Sequence, residues 1–585
     1  MSQPETARPR PTAMTEVELG FAPQPAVRWL APKVLVSTGI QSLIAAIFGS
    51  YADKRELQGG LAAGVHRHDA TDELWFDFVA DIGDGFDATY SIASLLAAER
   101  IDVADHGPLP RGRLLVMGGD QVYPSASTRA YEDRTKGVYR AALPATEGQP
   151  PTLFALPGNH DWYDGLTSFL RVFAQRRPFG GWATEQTRSY FAVRLPQRWW
   201  LFAIDTQFDD YVDAPQLEYF RQVSAELEPG DAVILCTSTP AWADAGAGGH
   251  TKRYDTIEFF DREIVRSAGA SIRVMLSGDK HHYARYAERG GTRQRITCGL
   301  GGAYLAATHE LPEELCLPPV ESRVRARAEA TYYQLESRYP DRATSKRFAS
   351  GIISLPWRNP GFWGLTGVFQ TVMTLAVLYG LVQTFGGASG FFGLVASWTP
   401  AAVVGIVLVI GALAFARLGS PPRVGLAQVS GALHAVAHLG LSVAWALVVV
   451  ALYTDVLPDG PVADWATLVI VAVGTPLAIG FIDAEIVAVY LMLVSRFGIN
   501  LNEVMAGQSI EDHKGFLRMR VDASGDLTIY PIRVDKVCRD WRADPAAAPT
   551  APWLRPDCDP LTPELIEPPI VVPRVSVPDP AAATP

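Results

Sequence analysis

The sequence predicts an α/β domain followed by an all-α membrane bundle, and three observations carry that prediction. Short β-rich apolar runs alternate with helix-like stretches between about residues 74 and 305, the pattern of sheets covered by helices. Acids, bases and aromatics crowd the first 350 residues, whereas 362–495 holds almost no charge. Four of the predicted strands end in polar, glycine-containing turns, where open α/β sheets gather their binding residues. At 585 residues the chain exceeds one core and suits two to four units at roughly one per 100–200 residues.

In the first half the expected strands are 75–80, 113–117, 152–156, 199–204, 232–236, 272–276 and 295–298. In the second half the charge-free runs 362–385, 398–416 and 431–453 each match the ~20 residues that cross a hydrocarbon core. A fourth run, 465–494, is longer and is interrupted by Pro476, Asp483 and Glu485, which predicts one kinked span. Arg338, Arg342, Lys346, Arg347 and Arg358 precede the first span, Arg417 and Arg423 lie between the second and third, and Arg496 follows the fourth. The other two connections have no Lys or Arg, so the asymmetry predicts a cytoplasmic N-terminal domain and C-terminus in an inner or plasma membrane.

Residues 34–51 are also free of charge, but Ser37, Thr38, Gln41, Ser42 and Ser50 favour an amphipathic or domain-packed helix over a further anchor. Within the spans, His434 and His438 share a helix face and Asp483 and Glu485 lie in the long last run. They read as a proton or ion pathway or as helix-to-helix hydrogen bonding, and the small bundle favours the second.

Net charge −11 argues against a nucleic-acid partner, which needs a basic face to neutralise phosphates. The five cysteines, Cys236, Cys298, Cys316, Cys538 and Cys558, are widely spaced and lack C-x-x-C pairs, so free thiols are expected, in keeping with a cytoplasmic location.

The polar turns carry the chemistry. They read Asp81-Ile82-Gly83-Asp84-Gly85, Gly118-Gly119-Asp120-Gln121-Val122-Tyr123, Pro157-Gly158-Asn159-His160-Asp161 and Ser277-Gly278-Asp279-Lys280-His281-His282. Carboxylate, amide oxygen and imidazole donors together suit divalent or trivalent first-row metals. Asp84 and Asp87 read as caps of the helix that follows the first turn.

This ordered set resembles the calcineurin-like metallophosphoesterase superfamily. Gly119-Asp120-x-x-Tyr123 is most like purple acid phosphatases, and Ser277-Gly278-Asp279-x-His281 is most like the alkaline phosphatase D group. The resemblance covers roughly residues 75–310 and implies a four-layer α/β/β/α sandwich. It implies that Asp81, Asp120, Tyr123 and His281 bind a first metal, and that Asp120 bridges to a second that takes Asn159 and Asp279. The ions would be Fe, Mn or Zn, one or two per chain. His160 would act on the leaving oxygen with Asp161 orienting its ring, His282 would contact substrate, and a metal-bound hydroxide would attack a phosphomonoester or phosphodiester. Three departures stand out: Gly83 replaces the usual His of the first motif, Ser238 of Cys236-Thr237-Ser238-Thr239-Pro240 replaces that of the fourth, and Asp279 replaces the first His of the last. His250, in a glycine-rich stretch, is a candidate replacement. The departures keep a non-catalytic membrane sensor or scaffold as the alternative function. Tethering favours a lipid-linked substrate.

The expected organisation is an N-terminal extension to 73, the phosphoesterase domain 74–310, a linker 311–361 with a helical stretch at 322–336, and a four-helix membrane region 362–497. A segment 498–543 follows, with a β-hairpin of 516–521 and 527–534 able to rejoin the soluble domain, and then a disordered Pro/Ala-rich tail 544–585.

Overall fold

The computed structural model describes residues 10–48, 53–62, 64–207, 211–246, 248, 251–387, 390–419, 423–458 and 460–575. The chain forms two compact units, one of Met1–Val27, Ser37–Arg342 and Glu511–Pro585 and the other of Arg28–Val36 and Ala343–Ile510.

In the first unit, the strands among the described residues form two large sheets. One has a parallel centre of Leu74–Val79, Leu114–Met117 and Thr152–Ala155. The other has a parallel centre of Trp199–Ile204, Ala232–Thr237, Ser271–Ser277 and Gln294–Cys298. These strands read as nearly unbroken apolar runs because both faces are covered. Trp200, Phe202 and Ile204 pack with residues of the helices Ala214–Ser224 and Lys252–Phe260, while the alternate Trp199, Leu201 and Ala203 are buried on the opposite face. On the first sheet, Val79, Leu115, Met117 and Ala155 pack against the helices Phe86–Ala97 and Gly137–Ala142, and Phe76, Phe78 and Phe154 are buried opposite.

The expected hairpin is present as Lys514–Val521 and Leu527–Val534, and it joins the first sheet: Met519 stands opposite Phe76 across an antiparallel ladder with Leu74–Val79. Arg518 clamps Asp77 with two hydrogen bonds of 2.8 and 3.1 Å, and both side chains are fully buried.

Five expectations are corrected. The sheet runs past residue 310, because Glu314–Leu317 and Thr331–Tyr339 add to the second sheet, and 331–336 is strand rather than helix. Tyr333 and Leu335 point inward while Tyr332 and Gln334 are exposed, a period of two that the local Arg/Ala content obscured. The tail is ordered to residue 575: Glu564–Leu565 and Ile570–Val572 pair with Leu527–Val534, and Glu567 holds Arg285 at 2.6 Å. Its apolar residues are few, but the hairpin offers strand edges to pair with. Cys538 and Cys558 form a disulfide, with their Cα atoms 6.3 Å apart, so two of the five thiols are not free. Finally, Pro32–Phe48 is a helix whose Val36, Ile40, Leu43, Ile44 and Ile47 are exposed, so it is not packed in the domain core; residues 49–51 lie outside the described residues.

In the second unit, four helices among the described residues are long and apolar enough to cross a membrane: Pro360–Phe385, Phe391–Phe415, Val424–Val456 and Pro461–Phe497. The expected irregularity around Pro476 appears as a π-helical stretch, Ile470–Ile479, within the fourth helix. The first and fourth helices meet at small residues. A Cβ added to Gly480 would stand 2.5 Å from the Cα of Gly367.

Candidate active site

Each motif sits just past the carboxyl end of its strand, and the backbone there is unusual. Asp81, Asp120 and Asp279 all adopt the left-handed conformation, with φ of 58°, 50° and 68°. Non-glycine residues reach this region at a cost and are concentrated at functional sites. Long-range backbone bonds hold them there: Asp81 N donates to Gly119 O at 3.0 Å, Ile82 N to Asp120 O at 3.0 Å, and Ala303 N to Asp81 O at 2.8 Å.

The side chains converge on the Tyr123 hydroxyl, which is fully buried. It lies 3.0 Å from Asp81 Oδ1, 3.4 Å from Asp120 Oδ2 and 3.1 Å from His281 Nε2. Asp279 joins through its backbone, whose N–H donates to Asp81 Oδ1 at 3.1 Å, while its carboxylate meets Lys280 Nζ at 3.1 Å. The remaining Asp120 oxygen accepts from His160 N at 2.9 Å. The His160 ring packs 4.5 Å from that of Tyr123, and its Nδ1 bonds Pro124 O at 2.7 Å.

Electrostatics follow from burial. The Asp81 carboxyl is held well above the usual range by desolvation first, then by Asp120 and Asp279. Desolvation, then Asp279, pushes Asp120 up to about 8. Burial raises the Tyr123 phenol, and the two carboxylates raise it further. Burial opposes ionisation of Asp279 as well, but Lys280 outweighs it and the net shift is downward. Burial lowers His160 to about 4 and His281 to about 3, so both rings are neutral near pH 7.

The other expected residues make the following hydrogen bonds. Asn159 Nδ2 donates to the Tyr163 hydroxyl at 3.1 Å. The oxygens of Asp161 accept from Gly158 N at 2.8 Å, from Gln121 N at 3.3 Å and from the Tyr131 hydroxyl. His282 is buried, and its Nδ1 has no partner among the described residues. Asp84 does not cap the following helix, whose N-cap is Gly85; it accepts from Val27 N and Tyr304 N at 2.6 and 3.2 Å. His250 lies outside the described residues.

Ser238 lies beside the Asp120 loop: its Cβ would stand 3.2 Å from a Cβ on Gly119, and its hydroxyl accepts from Gln207 Nε2 at 2.5 Å. Sequence reasoning missed Gln207, although Asp205-Thr206-Gln207 follows a strand it had identified. It also missed the loop Gly299-Leu300-Gly301-Gly302. A Cβ on Gly299 would meet Asp81 Oδ2 at 2.2 Å, so only glycine lets this loop close over the carboxylate. A glycine cluster after the strand Gln294–Cys298 was the available signal.

Whether these donors fit a metal turns on two facts. Among the described residues, no three His, Cys, Asp or Glu side chains form a set that could hold an ion as they stand. Yet Asp81 Oδ2 is buried without a hydrogen-bond partner among them, beside a neutral imidazole and a phenol. A buried carboxylate oxygen without a donor calls for a cation or a proton, and the donor types suit a cation, with Tyr123 supplying the third ligand type. In comparisons with known proteins, no family model and no curated protein matches the chain.

Proposed function

We propose that the α/β unit is a calcineurin-like metallophosphoesterase that hydrolyses phosphomonoesters or phosphodiesters. Two sheets, each with helices against one face and a second face buried, support the four-layer α/β/β/α arrangement that goes with this reading. The observation that carries it is the junction at Tyr123, where Asp81, Asp120 and His281 meet beside the orphaned Asp81 Oδ2.

One or two Fe, Mn or Zn ions would be held by Asp81, Asp120, Tyr123 and His281, with Asp279 and Asn159 the remaining donors. When bound, such an ion offsets charge on phosphoryl oxygens and lowers the pKa of water. The chain's own residues do the positioning. Bonding of His160 Nδ1–H to Pro124 O leaves Nε2 as the acceptor, and a ring titrating near 4 takes a hydrogen bond at neutral pH rather than giving up a proton. Lys280 pairs with Asp279 on one side, while burial and like charge disfavour ionisation of Asp81 and Asp120, which a bound cation would reverse.

The arginine-flanked connections support an α/β unit and C-terminus on the cytoplasmic side, which favours a lipid-linked phosphoester. The test uses the full chain in lipid nanodiscs with p-nitrophenyl phosphate and bis(p-nitrophenyl) phosphate, loaded with each metal in turn. Asp120→Asn is expected to lower turnover at least about 100-fold; unchanged turnover sinks the proposal. One specific observation favours the scaffold alternative, the Ser238–Gln207 pair where an imidazole is expected. Folded protein holding at most one ion, with no turnover on either substrate, would establish that alternative.

A further inference from the structure

The membrane unit brings together the polar residues that the phosphoesterase reading leaves unused. His438 Nδ1 lies 2.5 Å from Asp483 Oδ1, and His438 Nε2 lies 2.8 Å from His434 Nε2. Gln370 Nε2 donates to the same Asp483 oxygen at 2.7 Å, and its own oxygen accepts from Ser442 at 2.7 Å. Three of the four long helices therefore contribute to one network, and its members are buried. Small residues also pack the first helix on the fourth, so that contact does not rest on the network alone. Burying an acid and two imidazoles in a bilayer is expensive, and groups so placed mark paths for protons or ions.

The network has a direction. Ser430, His434, His438 and Ser442 recur every fourth residue along one helix face, a span of about 18 Å. The His434 ring stacks on Tyr490, with centroids 4.1 Å apart, and the Tyr490 hydroxyl donates to Asn500 Oδ1 at 3.1 Å. Asn500 in turn caps Phe415 O at 2.8 Å, and Arg423 lies 5.9 Å from the Phe497 ring. That end of the bundle is therefore the one with the Arg417, Arg423 and Arg496 connections. At the other end, Ser442 is the last member. The first two helices contribute no Asp, Glu, Lys, Arg or His, and Glu485 is the other acid within the core of the fourth.

One atom is unaccounted for. His434 Nδ1 is buried with no hydrogen-bond partner among the described residues, and the residue is 7% exposed. We infer that His434, His438 and Asp483 form a proton relay, loaded from the arginine-bearing end of the bundle and storing one proton near mid-membrane. In the resting arrangement His434 carries hydrogen on Nε2 and His438 on Nδ1, the latter donated to the Asp483 carboxylate. A proton taken up at His434 Nδ1 makes that ring cationic, its Nε2–H passes to His438 Nε2, and the His438 Nδ1–H passes to Asp483. One proton enters, one carboxylic acid results, each ring ends neutral in its other tautomer, and no electron moves. The opposed Nε2 atoms permit this only as a pair.

The test is independent of phosphoesterase activity. Full-length chain with ¹⁵N-labelled histidine, in lipid nanodiscs, is followed by solid-state NMR from pH 4 to 9, with infrared detection of the Asp483 carboxyl band. Both rings are expected to switch tautomer in a single shared transition as that band appears. Asp483→Asn is expected to move the transition by at least about one pH unit, tenfold in proton affinity, and His434→Gln to abolish the response of His438. If Asp483→Asn does not fold, His434→Gln carries the test alone. Separate titrations, each unmoved by the other substitution, or rings that do not change across the range, overturn the relay. So does one tightly held Zn²⁺ per chain that is lost in His434→Gln, which would make the pair a metal site.

Discussion

At the scale of single residues, burial shifts the protonation of individual carboxyls. Glu511 is pushed up to about 7 by burial first and then by Asp87 and Asp84. Between about 4.5 and 7 the folded state binds more protons there than the unfolded chain, so stability falls as pH rises through that window and the loss is complete above it. Glu511→Gln is expected to remove this slope and to raise stability at pH 7.5 by on the order of 2 kcal/mol, read from denaturant titrations at pH 5 and 7.5. The three left-handed aspartates show the limit of residue-level reading. Their identities were legible because carboxylates follow strands at glycine-flanked turns. The meeting of Asp81 and Asp120 at Tyr123, with Asp279 joined through its backbone, depended on loops such as 299–302 that no local pattern links to Asp81.

At the scale of elements, the C-terminal hairpin is the join that matters most. Lys514–Val521 supplies the antiparallel neighbour of Leu74–Val79, the strand that leads into Asp81. Arg518→Ala leaves Asp77 buried and unpaired at the centre of that ladder, which costs about 3–5 kcal/mol. The expected outcome is a lower unfolding midpoint and, on the proposed phosphoesterase reading, reduced turnover, because the same strand leads into Asp81. Arg518→Met paired with Asp77→Leu is expected to recover most of the stability, since a buried ion pair replaced by apolar groups of similar volume is often neutral.

At the scale of the whole molecule, the chain leaves the α/β unit, builds the helical unit and returns, so sequence distance is a poor guide to contact. The disulfide lies in the returning segment. It closes a loop with a sequence separation of 20, and by chain entropy it stabilises by about 3 kcal/mol. Reduction is expected to lower the thermal midpoint of the full chain, and Cys538→Ser is expected to make that midpoint insensitive to reductant. If the unit faces the cytoplasm, glutathione keeps both thiols reduced in the cell. Acid-quenched membranes are then expected to show Cys538 and Cys558 both reactive to maleimide, with the bond forming on later oxidation.

By itself, the sequence determined the division into a charged α/β half and an apolar helical half, the main strands, the four spans and the residue types of the site. These depend on local composition, periodicity and turn chemistry, which a chain displays without folding. Tertiary structure alone decided the reach of the sheets beyond residue 310 and the ordering of the tail to residue 575. It also decided the pairing of Cys538 with Cys558, the hydrogen bond between Gln207 and Ser238, and the meeting of His434, His438 and Asp483. Each of these joins groups far apart in the chain or on different elements. Long-range contact is fixed by burial and hydrogen-bond satisfaction over the whole fold, and no window of sequence contains both partners' surroundings.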